Sequence, residues 1–371
     1  MRTIHRFKDS RLKAAACSAV LAAFLFSASA LWAQPPAGQA ETVPGSPQNF
    51  VWVNNGRIDG HLSVNSSPDG AFSPDSSTLA VANDDKVVLV NLAKGNIEKV
   101  LHPKLPNLHD LNIQSANYLD ANTLFLLGTG IVREKKQAAH ATPLLGFDWN
   151  TQQDALEGKV EMFGAQGGFG RPRYFPLIKH LGMYKNSSFI LWSPVDHKAV
   201  GVKIPELTRE PHLYSFSPDG HWLLLAQIAG GGSSNPIVVR LSEHKFVDVL
   251  SGFQATVLCL RFSSDGKKLV TASADGKIRI WSVPGWKLLE TLSGHKGPVR
   301  WAEFSPDGNW VVSGGEDETV RVWSVDDGKL VQTLSESHAP VDTVSFSPDG
   351  NYLAATTDNN VLIWKKTPTD P

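Results

Sequence analysis

Three observations encode an all-β protein built by repeating one small antiparallel sheet. The first is a period: Phe262-Ser-Ser-Asp-Gly266, Phe304-Ser-Pro-Asp-Gly308 and Phe346-Ser-Pro-Asp-Gly350 start 42 residues apart. The second is the stretch after each motif: an apolar run, an acidic turn, and a Val/Ile-rich run ending in Trp281, Trp323 or Trp364. The third is that each unit holds four short apolar runs. A period in the forties with four such runs marks a repeat architecture rather than one irregular domain.

One unit shows how the pattern dictates the sheet. Val299–Phe304 is a first apolar run. Ser305-Pro306-Asp307-Gly308 is a type I turn, in which Pro306 presets φ and Gly308 fits the exit. Trp310–Ser313 is a second run, Glu316-Asp317-Glu318 a second turn, and Val320–Trp323 a third run. The chain turns again at Val325-Asp326-Asp327-Gly328, and Leu330–Leu334 closes the unit. Four short strands joined by three tight turns make a small antiparallel sheet. It is apolar on both faces, so it must stack between neighbours, and closure into a ring buries both faces of every sheet.

These residues resemble the WD40 repeat family. That resemblance implies a hydrogen-bonded tetrad of His, Ser or Thr, Asp and Trp, carried here by Gly294-His295, Ser313, Asp317 and Trp323. The preceding unit keeps Thr271, Asp275 and Trp281 but has Phe253 in place of His. The last keeps His338, Asp358 and Trp364 but has Ala354 in place of the hydroxyl. The Trp-Asp dipeptide is missing, since the pairs are Trp281-Ser282, Trp323-Ser324 and Trp364-Lys365. Packing outweighs the tetrad: a net hydrogen bond is worth about 1 kcal/mol, and emptying a buried Trp pocket costs about 3–5 kcal/mol.

The repeat continues backward in weaker form. Phe216-Ser-Pro-Asp-Gly220 lies 46 residues before Phe262, and Phe72-Ser-Pro-Asp-Ser76 lies 46 before Tyr118. The 98 residues between Tyr118 and Phe216 leave room for two units. The extra unit is Tyr174–Ile204, with Pro172 and Pro176 crowding its first strand. Third strands then end near Val90, Trp149, Trp192, Arg240, Trp281, Trp323 and Trp364. The expectation is a seven-bladed β-propeller of four-stranded antiparallel sheets over residues 50–366. The last unit lacks a fourth strand of its own, and Phe50-Val-Trp-Val53 is expected to supply it, closing the ring and covering an open edge.

Residues 1–33 have the layout of a bacterial-type secretory signal: a basic leader from Arg2 to Lys13, an apolar run Ala14–Ala30, and Ala28-Ser29-Ala30 as a cleavage site. An uncleaved anchor is the other reading, since Ala14–Ala33 is just long enough to cross a bilayer. Export to the periplasm or outside is therefore expected, with no membrane span after cleavage. Residues 34–49, rich in Pro and Gly, read as a flexible linker, and residues 367–371 as a tail. Without the leader the chain keeps 30 basic against 35 acidic residues. That balance does not suit a nucleic-acid binder. Cys259 is then the one cysteine, so no internal disulfide forms, and its apolar surroundings suit a buried, inert thiol.

No catalytic motif is spelled. Gly-x-Ser-x-Gly is absent, the cysteine and histidines lack metal-ligand spacing, and Gly164–Gly170 is glycine-rich without a following Lys-Ser or Lys-Thr. No cofactor is expected. Three connections are longer than the fold needs: Arg133–Pro143, Gly164–Arg173 and Gly230–Pro236. The resemblance places all three on one rim of the ring. Arg133, Lys135, Lys136, Phe169, Arg171 and Arg173 make two of them basic and partly aromatic, which suits an anionic or acidic protein partner. An interaction scaffold, monomeric and non-enzymatic, is the reading these features favour. The alternative is a propeller enzyme or small-ligand binder, lactonase-like or quinoprotein-like, with its site at the central channel; His140, His180 and His212 are candidate ligands that the sequence does not place. Trp286 sits at the start of an outer strand, a position open to exposure, and a single aromatic there is weak evidence for carbohydrate binding.

Overall fold

A computed structural model describes residues 41–42, 50–59 and 71–368, apart from 84, 106–107, 133–143, 163–172, 176–179, 186–187, 194–197, 204–210, 228–234, 244 and 358–359. Every regular element among these residues is a β-strand, and the strands form seven antiparallel sheets. Two strands precede the first sheet, β1 (Glu41–Thr42) and β2 (Phe50–Asp59). The first sheet is β3 (Thr78–Asn83), β4 (Lys86–Asn91) and β5 (Asn96–Leu101), with Phe72 bridged to Leu79 beside it. The second is β6 (Leu108–Tyr118), β7 (Thr123–Val132), β8 (Leu144–Asn150) and β9 (Ala155–Met162). The third is β10 (Arg173–Phe175), β11 (His180–Lys185), β12 (Ser188–Ser193) and β13 (Lys198–Lys203). Its first strand is only three residues long.

The fourth sheet is β14 (Leu213–Phe216), β15 (Trp222–Ala226), β16 (Ile237–Arg240) and β17 (Lys245–Val249). The fifth is β18 (Val257–Phe262), β19 (Lys268–Ser273), β20 (Lys277–Ser282) and β21 (Leu288–Ser293). The sixth is β22 (Val299–Phe304), β23 (Trp310–Gly315), β24 (Val320–Ser324) and β25 (Leu330–Leu334). The seventh holds β26 (Val341–Phe346), β27 (Tyr352–Thr357) and β28 (Asn360–Pro368). Its fourth strand is β2, paired with β28 from Phe50↔Pro368 to Asp59↔Asn360.

The repeated Ser-Pro-Asp-Gly turn has the local chemistry its residues demand. Gly308 N–H donates to Ser305 O at 2.9 Å, and Gly308 sits at φ 71°, a left-handed value that costs a glycine little. Asp307 Oδ1 accepts the Asn309 N–H at 3.1 Å, and Ser305 Oγ accepts the Trp310 N–H at 3.0 Å. The aromatic that opens each motif is buried: Phe72, Tyr118, Phe216, Phe262, Phe304 and Phe346 are all at most 8% exposed.

Packing joins neighbouring sheets. One apolar cluster spans the fifth, sixth and seventh sheets and takes in Trp52 from β2. A second joins the first sheet to the second, and another joins the fourth to the fifth. Phe125 and Trp192 link the second and third at 5.8 Å. The last cluster packs Tyr352, Ala354, Val361 and Ile363 of the seventh sheet against Phe72, Leu79, Val88 and Val90 of the first.

Two features differ from the sequence expectation. Within the 34–49 linker, β1 pairs antiparallel with β25, Glu41↔Thr333 and Thr42↔Gln332. Trp286 is buried, 8% exposed, because it packs edge-on against Trp222 at 5.2 Å. Cys259 is buried as expected, with its thiol 3.4 Å from Ala302 O.

Candidate functional site

The best-defined polar constellation lies in the sixth sheet. β22 is preceded by His295, β23 ends at Ser313–Gly315, the turn after it carries Asp317, and β24 carries Trp323. His295 Nδ1 lies 2.8 Å from Asp317 Oδ1, and His295 Nε2 lies 2.8 Å from Ser313 Oγ. The Trp323 indole N–H donates to the same Ser313 Oγ at 2.8 Å. The chain is one line, Asp317–His295–Ser313–Trp323, running from the turn into the apolar core.

Glycines make room for it. A Cβ at Gly315 would fall 2.7 Å from His295 Nδ1 and 2.9 Å from Asp317 Oδ1. At Gly294 it would fall 3.1 Å from the Trp323 ring and 2.7 Å from Arg321. Burial pushes the Asp317 carboxyl up, but hydrogen bonds from His295, the Lys296 N–H and Thr319 reverse this and hold it far below the usual carboxylate range. Every polar atom of the line is bonded inward, to other parts of the same sheet. The arrangement ties turns to strands.

The neighbouring sheets solve the same problem with other residues. In the fifth, Trp281 donates to Thr271 Oγ1 at 3.1 Å, and Phe253 packs tilted on the Trp281 ring at 5.8 Å. Arg279 then holds the turn, bonding Asp275 Oδ2 at 2.7 Å and Gly252 O at 2.9 Å, with its guanidinium 4.8 Å from the Phe253 ring. In the seventh, Ala354 removes the hydroxyl, and the Trp364 indole donates to Glu336 Oε2 at 3.1 Å instead. His338 is exposed there, at φ 51°, not an internal anchor as its position in the repeat implies. Asp358 lies outside the described residues.

The chain also matches a known repeat. The family model described as WD domain, G-beta repeat matches residues 244–282, 286–324 and 328–365. Residues 244–365 are three consecutive WD40 repeats. Each match begins on the outer strand of one sheet and ends on the third strand of the next: β17 with β18–β20, β21 with β22–β24, β25 with β26–β28. A WD40 repeat here is therefore shared between two sheets, which locks neighbours together covalently. The human protein described as Intraflagellar transport protein 122 homolog is 34% identical over 68 residues, 18% of this chain and 5% of that protein. The chain thus spans about a twentieth of that relative's length.

Of the residues singled out for a partner, Arg133, Lys135, Lys136, Phe169 and Arg171 lie outside the described residues, and so does the side chain of Arg173, which opens β10. The strands that flank them are described. Arg133–Pro143 joins β7 to β8, Gly164–Arg173 joins β9 to β10, and Gly230–Pro236 joins β15 to β16. Second-to-third and fourth-to-first connections share one end of the strands in an antiparallel meander, so all three leave the sheets on the same side. His212 Nε2 sits 2.9 Å from Val257 O, a bond between the fourth and fifth sheets. His140 and the side chain of His180 lie outside the described residues. Among the described residues no three His, Cys, Asp or Glu side chains come together as a metal would require, and no helix is long and apolar enough to cross a membrane.

Proposed function

We propose that this chain is a closed ring of seven sheets, exported from the cytoplasm, that acts as a non-enzymatic platform for a protein partner. The observation that carries the reading is the run of three WD40 repeats, a module whose chemistry here is spent on holding sheets together. Closure is supported by two contacts between the ends of the chain: β2 completes the seventh sheet, and the seventh sheet packs on the first. The ring's partner surface is the rim bearing the connections at 133–143, 164–173 and 230–236. Tight turns serve the fold elsewhere, so the extra length has another use. The basic side chains of Arg133, Lys135, Lys136, Arg171 and Arg173, with Phe169 among them, fit an acidic protein surface.

The test is capture from a cell-envelope fraction with residues 34–371 as bait. Reversal of those five charges to Glu should abolish capture and leave the melting temperature unchanged. Capture that survives both charge reversal and shortening of all three connections removes the assigned rim from the reading. Stoichiometric calcium or another metal in the purified protein would favour a ligand-binding or catalytic ring instead.

A further inference from the structure

Among the described residues five large apolar side chains are exposed, and four of them stand on the outer strands of two neighbouring sheets. Leu288 and Leu289 of β21 are each 48% exposed, and Val247 and Val249 of β17 are 38% and 39% exposed. Trp286, just before β21, packs on Trp222 at 5.2 Å. Trp222 pairs with Arg240, and Arg240 with Lys245 at the start of β17, so the two outer strands begin side by side. Apolar residues grouped in this way mark a surface that another polypeptide covers. β21 is also the open edge of its sheet, with β20 on one side alone. Edge strands are commonly guarded by charge, as β5 is by Glu98 and Lys99. β21 presents two leucines instead.

The next sheet shows what such an edge takes. The residues 42 positions after Leu288 and Leu289 are Leu330 and Val331 of β25. Leu330 is half-buried and Val331 buried, in the sheet whose outer edge carries an added antiparallel strand, β1. Around the two leucines of β21 the sequence runs Lys287-Leu288-Leu289-Glu290, and both charged residues are exposed. Reversed, this run complements itself. In an antiparallel approach the leucines of one copy meet the leucines of the other, and each Lys287 faces a Glu290. We propose that the edge of β21 is covered by the same edge of a second copy of this chain, so that the protein is a two-fold dimer in solution rather than the monomer expected from sequence. Such a contact is isologous, one patch used twice, and its apolar centre with charges around it has the layout of a protein interface. A stable dimer buries roughly 800 Å² of each copy, so the contact extends from β21 onto Val247 and Val249 of β17. The outer edge stands apart from the long connections, and loss of capture there leaves the dimer standing.

The experiment is sedimentation of residues 34–371, which hold every described strand, over a range of concentrations. Particles of two chains should form and give way to single chains on dilution. Leu288→Ser combined with Leu289→Ser should leave single chains at every concentration without lowering the melting temperature. Lys287→Glu and Glu290→Lys should each weaken association about tenfold, by setting like charges opposite each other twice per dimer. An equimolar mixture of these two variants should associate as the wild type does, because their charges are complementary between chains though not within either homodimer. Where the serine variant does not fold, the two charge variants and their mixture carry the test. A wild type of single chains at every concentration, a dimer unmoved by the serine substitutions, or a mixture that associates no better than either variant alone overturns the proposal.

Discussion

Asp317 does three things in one turn: it fixes the ring of His295, receives the Lys296 N–H at 2.9 Å, and takes the Thr319 hydroxyl at 2.8 Å. Asp317→Ala should therefore cost about 1–3 kcal/mol by leaving the His295 ring and the Thr319 hydroxyl without their acceptor, read as a shift in the denaturant midpoint at constant slope. Gly315→Ala should cost a similar amount for a steric reason, since the added methyl occupies the space of the His295–Asp317 contact. The carboxyl's depressed pKa gives a sign. Its folded value lies below its unfolded value of about 3.9, so its contribution is complete above that pH and is lost as the pH falls toward the folded value. Stability of the wild type should thus decline below about pH 4. Asp317→Asn, lacking the titration, should decline less steeply over the same window; identical slopes by acid denaturation would show that Asp317 is not responsible.

A strand is held here by more than its ladder. Gln332 of β25 is buried, and its side-chain amide copies a backbone pairing to β2: Trp52 N–H donates to Gln332 Oε1 at 3.0 Å, and Gln332 Nε2 donates to Trp52 O at 3.0 Å. The same residue pairs through its backbone with Thr42 of β1. Gln332 thus ties two separate pieces of the early chain to the sixth sheet. Gln332→Leu should lower stability by about 1–3 kcal/mol, because it removes the side-chain partner of the buried Trp52 peptide groups. Trp52→Ala should cost more, about 3–5 kcal/mol, through the emptied space between the sixth and seventh sheets. Chemical denaturation checks the order of the two. This clamp was not legible in the sequence, where Gln332 is one polar residue in an apolar run. The turns were legible, because Pro306, Asp307 and Gly308 each admit few backbone conformations. The third-strand tryptophans were legible for the same local reason, a fixed spacing from the turn. The burial of Trp286 against Trp222 was not legible, nor were the groups that replace the tetrad, Arg279 at Phe253 and Glu336 at the Trp364 indole, because no fixed spacing announces them.

At the scale of the molecule the question is what the two ends of the chain do for each other. β28 is the third strand of its sheet, and its outer edge is covered along its length by β2. Without β2 that edge would present unpaired N–H and C=O groups, the template on which strands of other molecules add. It would also uncover the wall that Trp52 forms in the cluster shared with the sixth sheet. β1 covers only two residues of β25, so it contributes far less. Deleting residues 34–49 should therefore leave the association state and the melting temperature nearly unchanged, whereas deleting residues 34–59 should give a destabilised, further self-associating protein by light scattering. A peptide of residues 50–59 added to the second variant should reverse that self-association, because the lost strand needs no covalent link to pair with β28. A 34–59 deletion that keeps the association state and melting temperature of the wild type would mean that β2 does not stabilise the seventh sheet, which is then held by its packing on the first and sixth alone.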